Sequence, residues 1–142
     1  MALPKQIRFV LVTPEKTLLD ELVESVQFPL YDGQMGLLPG RAPLVGRVGF
    51  GELRLEREEG EQLYFVDGGF IQVKGEVVTL LTNRAIPAAE LKLSYAEEQL
   101  AKADAERPHD DAGFAVKDRD VLRARRMIDL AKKVRRETAG AR

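Results

Sequence analysis

Short apolar runs separated by turn residues fill the first half of the chain. Glycine-containing turns such as Glu58–Glu61 and Lys74–Glu76 stand between the runs, and Asp67–Gly69 is predicted as a tight hairpin turn. Short strands at this spacing are typical of an antiparallel sandwich or barrel. The predicted strands are Ile7–Val12, Glu21–Leu30, Leu44–Arg57, Leu63–Val66, Phe70–Val73 and Val77–Leu81.

The pattern changes to a helical one after Ile86. Pro87 suits the first position of a helix, and an apolar seam with helical spacing follows it. The helix should end near Arg107, because the residue before Pro108 disfavours the helical region. A loop is predicted from Pro108 to Lys117, and a second helix from Asp118 or Asp120. The seam residues are Leu93, Ala96, Leu100 and Ala103.

The second predicted helix has an apolar half and a basic half. Its apolar half contains Val121, Ala124, Met127, Ile128, Leu130, Ala131 and Val134, and its basic face contains Arg125, Arg126, Lys132, Lys133 and Arg136. The predicted fold class is therefore β + α: an N-terminal antiparallel β-sandwich or barrel (1–86) followed by a C-terminal α-helical hairpin (87–142).

Charge is divided unevenly along the 142 residues. The formal net charge is -1, yet the segment 118–142 holds nine Lys/Arg and four Asp/Glu, a net of +5. Such a basic helix either presents a solvated face or binds an acidic surface. Nucleic acid is not an expected partner, because the total charge is near zero and no aromatic or glycine motif accompanies the basic residues.

Candidate chemistry is sparse. The chain has no cysteine and one histidine, which excludes thiol catalysis and a His-based zinc triad. That residue, His109, stands beside two aspartates in a predicted loop, where it is expected to be solvated rather than to bind a metal. Gly33, Gly36 and Gly40 do not fit the spacing of a phosphate-binding loop. We therefore predict no catalytic residues and no metal.

No apolar segment approaches the ~20 residues that a membrane-spanning helix needs. The N-terminal residues also lack the apolar run of a signal peptide. A soluble protein that faces the cytoplasm is expected from these two features.

Three motifs resemble those of the epsilon subunit of F-type ATP synthases. The first is Phe9–Glu15, similar to the opening strand and turn of that family. The second and most specific is Asp32–Leu44, a loop rich in glycine and proline that is predicted to contain a short strand, and in which Arg41 replaces the family's usual His. The third is Tyr64–Val73, which contains paired glycines and leads into Val77–Leu81. The motifs occur in the same order as in the family, which also has a β domain followed by a helical hairpin.

The resemblance implies a non-catalytic rotor subunit of a proton-translocating enzyme. In the family the β sandwich contacts the gamma subunit and the c ring, and the C-terminal hairpin can extend toward the catalytic beta subunit and block ATP hydrolysis. A peripheral location on the cytoplasmic face of the bacterial inner membrane follows. The residues implied to bind gamma or the c ring are Met35, Gly36, Leu38, Gly40, Arg41, Pro43, Gly68, Gly69 and Phe70. The basic face defined above is the implied inhibitory surface.

Some family members bind ATP on the hairpin through an Asp and an Arg near the start of its first helix. Here Lys92 stands in place of the Asp and Tyr95 in place of the Arg. Because the charge is reversed at the first position, ATP binding is not expected, and no other cofactor is predicted.

Two alternatives come from other classes of protein. One is a β-sandwich interaction module with a helical adaptor, unrelated to ATP synthase. The other is a small hydrolase, for which the sequence offers no nucleophile paired with a base.

Overall fold

The computed structural model describes residues 6–30, 33–39 and 43–140. The chain separates into two compact units, Met1–Ile86 and Pro87–Arg142. The first unit is built of strands and the second of helices, so the predicted fold class is confirmed.

The strands of the first unit are β1 (Ile7–Val12), β2 (Thr17–Val23), β3 (Ser25–Leu30), β4 (Gly33–Leu37), β5 (Leu44–Arg57), β6 (Gly60–Lys74), β7 (Val77–Leu81) and β8 (Ala85–Pro87). Their order is β2-β1-β7-β6-β5-β3-β4, and β8 pairs with β6. The pairing of β1 with β7 is parallel, whereas β1–β2, β3–β4, β3–β5, β5–β6 and β6–β7 are antiparallel.

A single apolar core fills this unit. Phe9 and Leu11 alternate along β1 and are fully buried, as are Phe28 of β3 and Leu53 of β5. Alternate side chains of a strand point to opposite faces, so each strand contributes every second residue to the core. Burial of these apolar side chains is the main favourable contribution to folding.

The predicted strand Glu21–Leu30 is wrong in one respect, because the structure divides it into β2 and β3. Val23 and Val26 both point into the core, although an odd spacing would place them on opposite faces of one continuous strand. The bend at Glu24 resets the alternation, and the Glu24 N–H donates to the Glu56 carbonyl oxygen (2.7 Å). β2 then pairs with β1, and β3 pairs with β5.

The predicted hairpin turn at Asp67–Gly69 is also wrong, because β6 continues through it. Val66 and Ile71 both point into the core at an odd spacing, so the alternation must shift between them. Gly68 and Gly69 provide the shift with φ values of 75° and 123°, which glycine adopts easily. The two short predicted strands Leu63–Val66 and Phe70–Val73 are thus parts of one strand, paired with β5 along its length.

The second unit contains a 3₁₀ helix (Ala88–Glu90) and two α-helices, α1 (Leu93–Asp104) and α2 (Asp111–Gly140). Pro87 is not the first α-helical residue: it precedes the 3₁₀ helix, and α1 begins at Leu93. Ala96 and Ala103 of the predicted seam are buried, and Leu93 and Leu100 are half-buried.

α2 begins earlier than Asp118 or Asp120, and the predicted loop Pro108–Lys117 is therefore mostly helical. The carboxylate of Asp110 accepts a hydrogen bond from the Gly113 N–H (2.7 Å). An aspartate in this position satisfies one of the free N–H groups at a helix start. The Asp110 carbonyl then accepts from the Phe114 N–H (3.0 Å).

Candidate docking surfaces

An apolar strip lies on the outer face of the sheet formed by β5, β6 and β7. Phe70 is registered with Leu81, and these side chains are 56% and 47% exposed. Their neighbour Ile71 is buried in the core, so alternation directs Phe70 and Leu81 outward. Val45, registered with Gln72, is on the same face and is 72% exposed. Val45, Phe70 and Leu81 are called the outer strip below.

A second apolar region lies at one end of the β unit. Leu38 follows the buried end of β4 and is 69% exposed. With Pro39 it lines a shallow depression shared with Gly75 and Glu76 of the β6–β7 turn. Pro43 is exposed and directly precedes Leu44, which is registered with Val73 near the same turn. Leu38, Pro39 and Pro43 are called the sandwich end below.

The predicted docking residues within β4 are differently placed. Met35 is half-buried and packs against the core. Gly36 is exposed and registered with Gln27. The short strand predicted within Asp32–Leu44 is present as β4, whereas Gly40 and Arg41 lie outside the described residues.

Gly68 and Gly69 are half-buried and have structural roles. A Cβ atom on Gly69 would lie 1.8 Å from the Leu81 carbonyl oxygen, so the fold itself requires glycine there. A Cβ atom on Gly68 would lie 3.8 Å from the Val48 carbonyl oxygen, an ordinary contact, although the positive φ of Gly68 still favours glycine.

The sandwich end and the outer strip are close along β6. Phe70 is four residues from Lys74, the last residue of β6, which corresponds to about 13 Å along a strand. The structure thus brings Leu38, Pro43 and Phe70 into one region of the β unit. Val45 and Leu81 belong to that region as well, although sequence reasoning missed them, because an apolar residue in a strand is expected to point inward.

An ion pair lies on the same outer face, on β1 and β2. Arg8 donates from Nε and Nη2 to the two carboxylate oxygens of Asp20 (2.9 and 2.7 Å). The hydrogen bonds from Arg8, with its charge, hold the pKa of Asp20 below its usual value. The same contact raises the pKa of Arg8. Both groups are exposed to solvent, so the pair contributes little to stability.

The basic face of α2 is directed away from its buried stripe. Arg125, Arg126, Lys132 and Arg136 are exposed, and Lys133 is half-buried. The buried stripe consists of Ala124, Met127, Leu130 and Ala131. The division into an apolar and a basic half is therefore present in α2.

Asp129 interrupts this basic face. It is exposed and, at 100° per residue, lies between Arg125 and Lys133 on the helix surface. The local net charge of the face is therefore lower than the five basic residues alone give. Periodicity alone could have located Asp129, because it is four residues from each of those two cations.

The residues considered for ligand chemistry do not form a binding site together. Lys92 is exposed at the residue before α1 and makes no side-chain cap, and Tyr95 is half-buried. His109 is exposed in the turn between the helices. In the part of the chain that the structure describes, no group of three or more His, Cys, Asp or Glu residues could hold a metal ion.

Within residues 6–30, 33–39 and 43–140, no helix is both long enough and apolar enough to cross a membrane.

These features define the class of protein: a β-sandwich domain with an apolar end, followed by a pair of helices with one buried and one basic face. The family model for the ATP synthase delta/epsilon chain β-sandwich domain matches residues 6–88. The chain belongs to the ATP synthase epsilon-chain family. The resemblance of its motifs is thereby confirmed, and the interpretation as an unrelated interaction module is wrong.

Two relatives illustrate the extent of the similarity. The ATP synthase epsilon chain of Rhodopirellula baltica is 50% identical over 97 residues, which cover 68% of this chain and 76% of the relative. The sodium ion specific ATP synthase epsilon chain of Propionigenium modestum is 31% identical over 122 residues, 84% of this chain and 89% of the relative.

Solved structures share the fold. A chain in the mitochondrial ATP synthase of Euglena gracilis (OSCP/F1/c-ring) aligns with a TM-score of 0.71 and 24% identity, over 97% of this chain and 84% of that one. A chain in the central stalk/c-ring structure from Tetrahymena thermophila aligns with a TM-score of 0.71 and 12% identity, over 92% and 99%.

Proposed function

We propose that this chain is a non-catalytic rotor subunit in the central stalk of an F-type ATP synthase. Its β unit docks onto the gamma subunit and the c ring, so that ion-driven rotation of the ring turns the stalk inside the catalytic head. The observation that carries the proposal is the family match over residues 6–88, which includes the sandwich end and the outer strip.

Both apolar regions suit a permanent interface. The exposed residues Leu38, Val45, Phe70 and Leu81 would each release water on docking, and apolar burial is the main driving force of stable association. Leu38, Pro39 and Pro43 are apolar, as the core of an interface requires, and the neighbouring Glu76 suits its polar rim.

The helices serve as a brake on ATP hydrolysis. The exposed cations of α2 contact acidic residues of the catalytic beta subunit when the helices extend toward the head. Exposed ion pairs contribute only about 0–1 kcal/mol each, so the brake depends on several of them acting together.

We also propose that the protein lies on the cytoplasmic face of the bacterial inner membrane, held there by the complex.

Purification through a tag on this chain tests the proposal. Solubilised membranes of the source cell should yield gamma, the c ring and the catalytic subunits in the fixed ratio of the whole enzyme. Recovery of the chain without gamma would overturn the proposal. The same pull-down with a Phe70→Ser chain is the matched comparison. That variant keeps the core but loses an outer apolar contact, so it should recover less gamma and c ring.

A further inference from the structure

The turn that joins α1 to α2 is held by side chains from both of its flanks. Arg107 Nη1 lies 3.2–3.3 Å from the carbonyl oxygens of Asp104, Ala105 and Glu106. These are carbonyls at the end of α1 that no longer have partners within the helix. A cation at a helix C-terminus is also favoured by the helix dipole.

A residue of α2 reaches the same end of α1. Lys117 Nζ donates to the Glu106 carbonyl oxygen (3.2 Å). Since Lys117 lies in the second turn of α2, this bond joins α2 directly to the residues that follow α1. Asp110 caps the other side of the turn through the Gly113 N–H (2.7 Å).

Gly113 is packed closely against this turn. A Cβ atom there would lie 2.9 Å from Asp110 Oδ1 and 3.0 Å from Pro108 Cβ. A side chain would push on the capping carboxylate and on the proline ring together. The absence of a side chain at Gly113 thus allows the cap and the bend to form at once.

The helices need this support. α1 has only twelve residues and no side-chain cap at its start, and an isolated helix of that length is marginal in water. Two of the four positions in its apolar seam are alanine, which buries little area. Bonds at the turn therefore add to the packing that keeps α1 against α2.

We propose that Arg107, Asp110, Gly113 and Lys117 form a turn clamp that keeps α1 and α2 antiparallel, so that the helical pair opens only when the clamp is released. The clamp is a conformational device of the helical unit and does not depend on the proposed function. Its loss shifts the population toward an open form by a few-fold to about tenfold for each side chain removed, in line with the net contribution of single hydrogen bonds.

Pulsed electron spin resonance on the full-length chain measures the separation of the helices. The chain contains no cysteine, so spin labels on Glu97→Cys and Leu122→Cys report only α1 and α2. The parent should show one narrow distance distribution. Arg107→Met with Lys117→Met should add a longer, broad population, and Lys117→Arg should restore the narrow one. Lys102→Met is the matched control, because Lys102 pairs with Glu98 within α1 and not with the turn.

For Gly113→Ala, the turn clamp and helix propensity predict opposite changes in the open population. Alanine is the better helix former, yet at this position it should increase the open population, whereas Ala115→Gly should have a smaller effect. If the double variant and Gly113→Ala both keep the narrow distribution of Lys102→Met, the turn clamp is refuted. Circular dichroism of each variant separates local opening from global unfolding. ATP hydrolysis in the assembled enzyme is a separate readout, which tests the proposed brake and not the clamp.

Discussion

The backbone of Gly69 lies so close to Leu81 that a Cβ atom on Gly69 would be 1.8 Å from the Leu81 carbonyl oxygen and 2.8 Å from its carbonyl carbon. The obstruction is backbone rather than a flexible side chain. It occurs where β6 changes its alternation, immediately before Phe70 pairs with Leu81. The paired glycines of the family motif thus position the outer strip by letting two strands approach closely.

Gly69→Ala should therefore destabilise the β unit by about 3 kcal/mol, as expected of a steric conflict combined with a positive φ. Urea denaturation followed by circular dichroism measures the change. Gly36→Ala is the control, because its Cβ would make an ordinary contact of 3.7 Å with Gln27 Cγ. Equal midpoints for the two variants would contradict the close approach.

Phe70→Ser and Leu38→Ser should weaken binding to a purified gamma–c-ring assembly by about tenfold to a hundredfold each, the effect of losing a buried apolar side chain. Gly36→Val should also weaken it, because it adds bulk to an exposed strand. Leu22→Ser is matched in exposure (56%) but lies on β2, and should bind normally. Biolayer interferometry gives the affinities, and normal binding by Phe70→Ser and Leu38→Ser would remove both regions from the interface.

Millimolar ATP should leave the melting temperature of the isolated protein unchanged, because Lys92 and Tyr95 replace the residues that bind ATP in some relatives. A ligand present at 100 times its dissociation constant would stabilise by about 2.7 kcal/mol, which raises the melting temperature by several degrees. Differential scanning fluorimetry detects such a shift, with magnesium alone as the control. A specific rise with ATP would refute this prediction.

Replacement of Arg125, Arg126, Lys132, Lys133 and Arg136 by Ala should raise ATP hydrolysis in the assembled enzyme and leave assembly intact. The effect should diminish with salt, since exposed charges are screened beyond about 10 Å at 0.1 M. Lys16→Ala with Lys102→Ala removes exposed cations elsewhere and should not change the rate. If hydrolysis at low salt is the same for both sets, α2 is not a brake.

The ion pair of Arg8 and Asp20 predicts a pH effect at the acidic end of the scale. The folded pKa of Asp20 is below its usual value of 3.8. The small stability that the pair contributes is thus present above that value and is lost as pH falls through the lowered pKa. In an NMR titration, Arg8→Met should return the Asp20 pKa toward 3.8, and Arg54→Met should not. An unchanged titration in Arg8→Met would show that the contact is not formed in solution.

Elements that arise from the periodicity of apolar residues could be predicted from the sequence. Element boundaries that depend on single contacts could not. β1 and β7 follow from regular alternation, β5 follows from an alternation that shifts once at Gly49, and the buried stripe of α2 follows from its helical period. The division at Glu24 was missed because both sides of it look like strand. The glycines at Gly68–Gly69 were interpreted as a hairpin turn, because their pattern does not distinguish a turn from a shift of alternation within one strand. The start of α2 was missed because its stripe begins only near Val121, whereas the hydrogen bond accepted by Asp110 begins the helix ten residues earlier.

The docking residues were predicted through the family resemblance rather than from physics. Leu38 and Phe70 are exposed as an interface requires, but Gly69 serves the fold. The outward direction of Val45 and Leu81 depends on strand register, which the pattern of a single strand does not specify.

The parallel pairing of β1 with β7 has a consequence for biosynthesis. β1 is made before β7, and its registered partners in β7 begin only at Val77. At about 5–20 residues per second, a ribosome needs several seconds to reach that strand. Until then Phe9 and Leu11 have no neighbouring strand on that side. The nascent domain therefore stays incomplete, with apolar side chains exposed to solvent, while β2 to β6 emerge. Completion of this domain must therefore wait for β7, and a chaperone that shields the first strand would act in that interval.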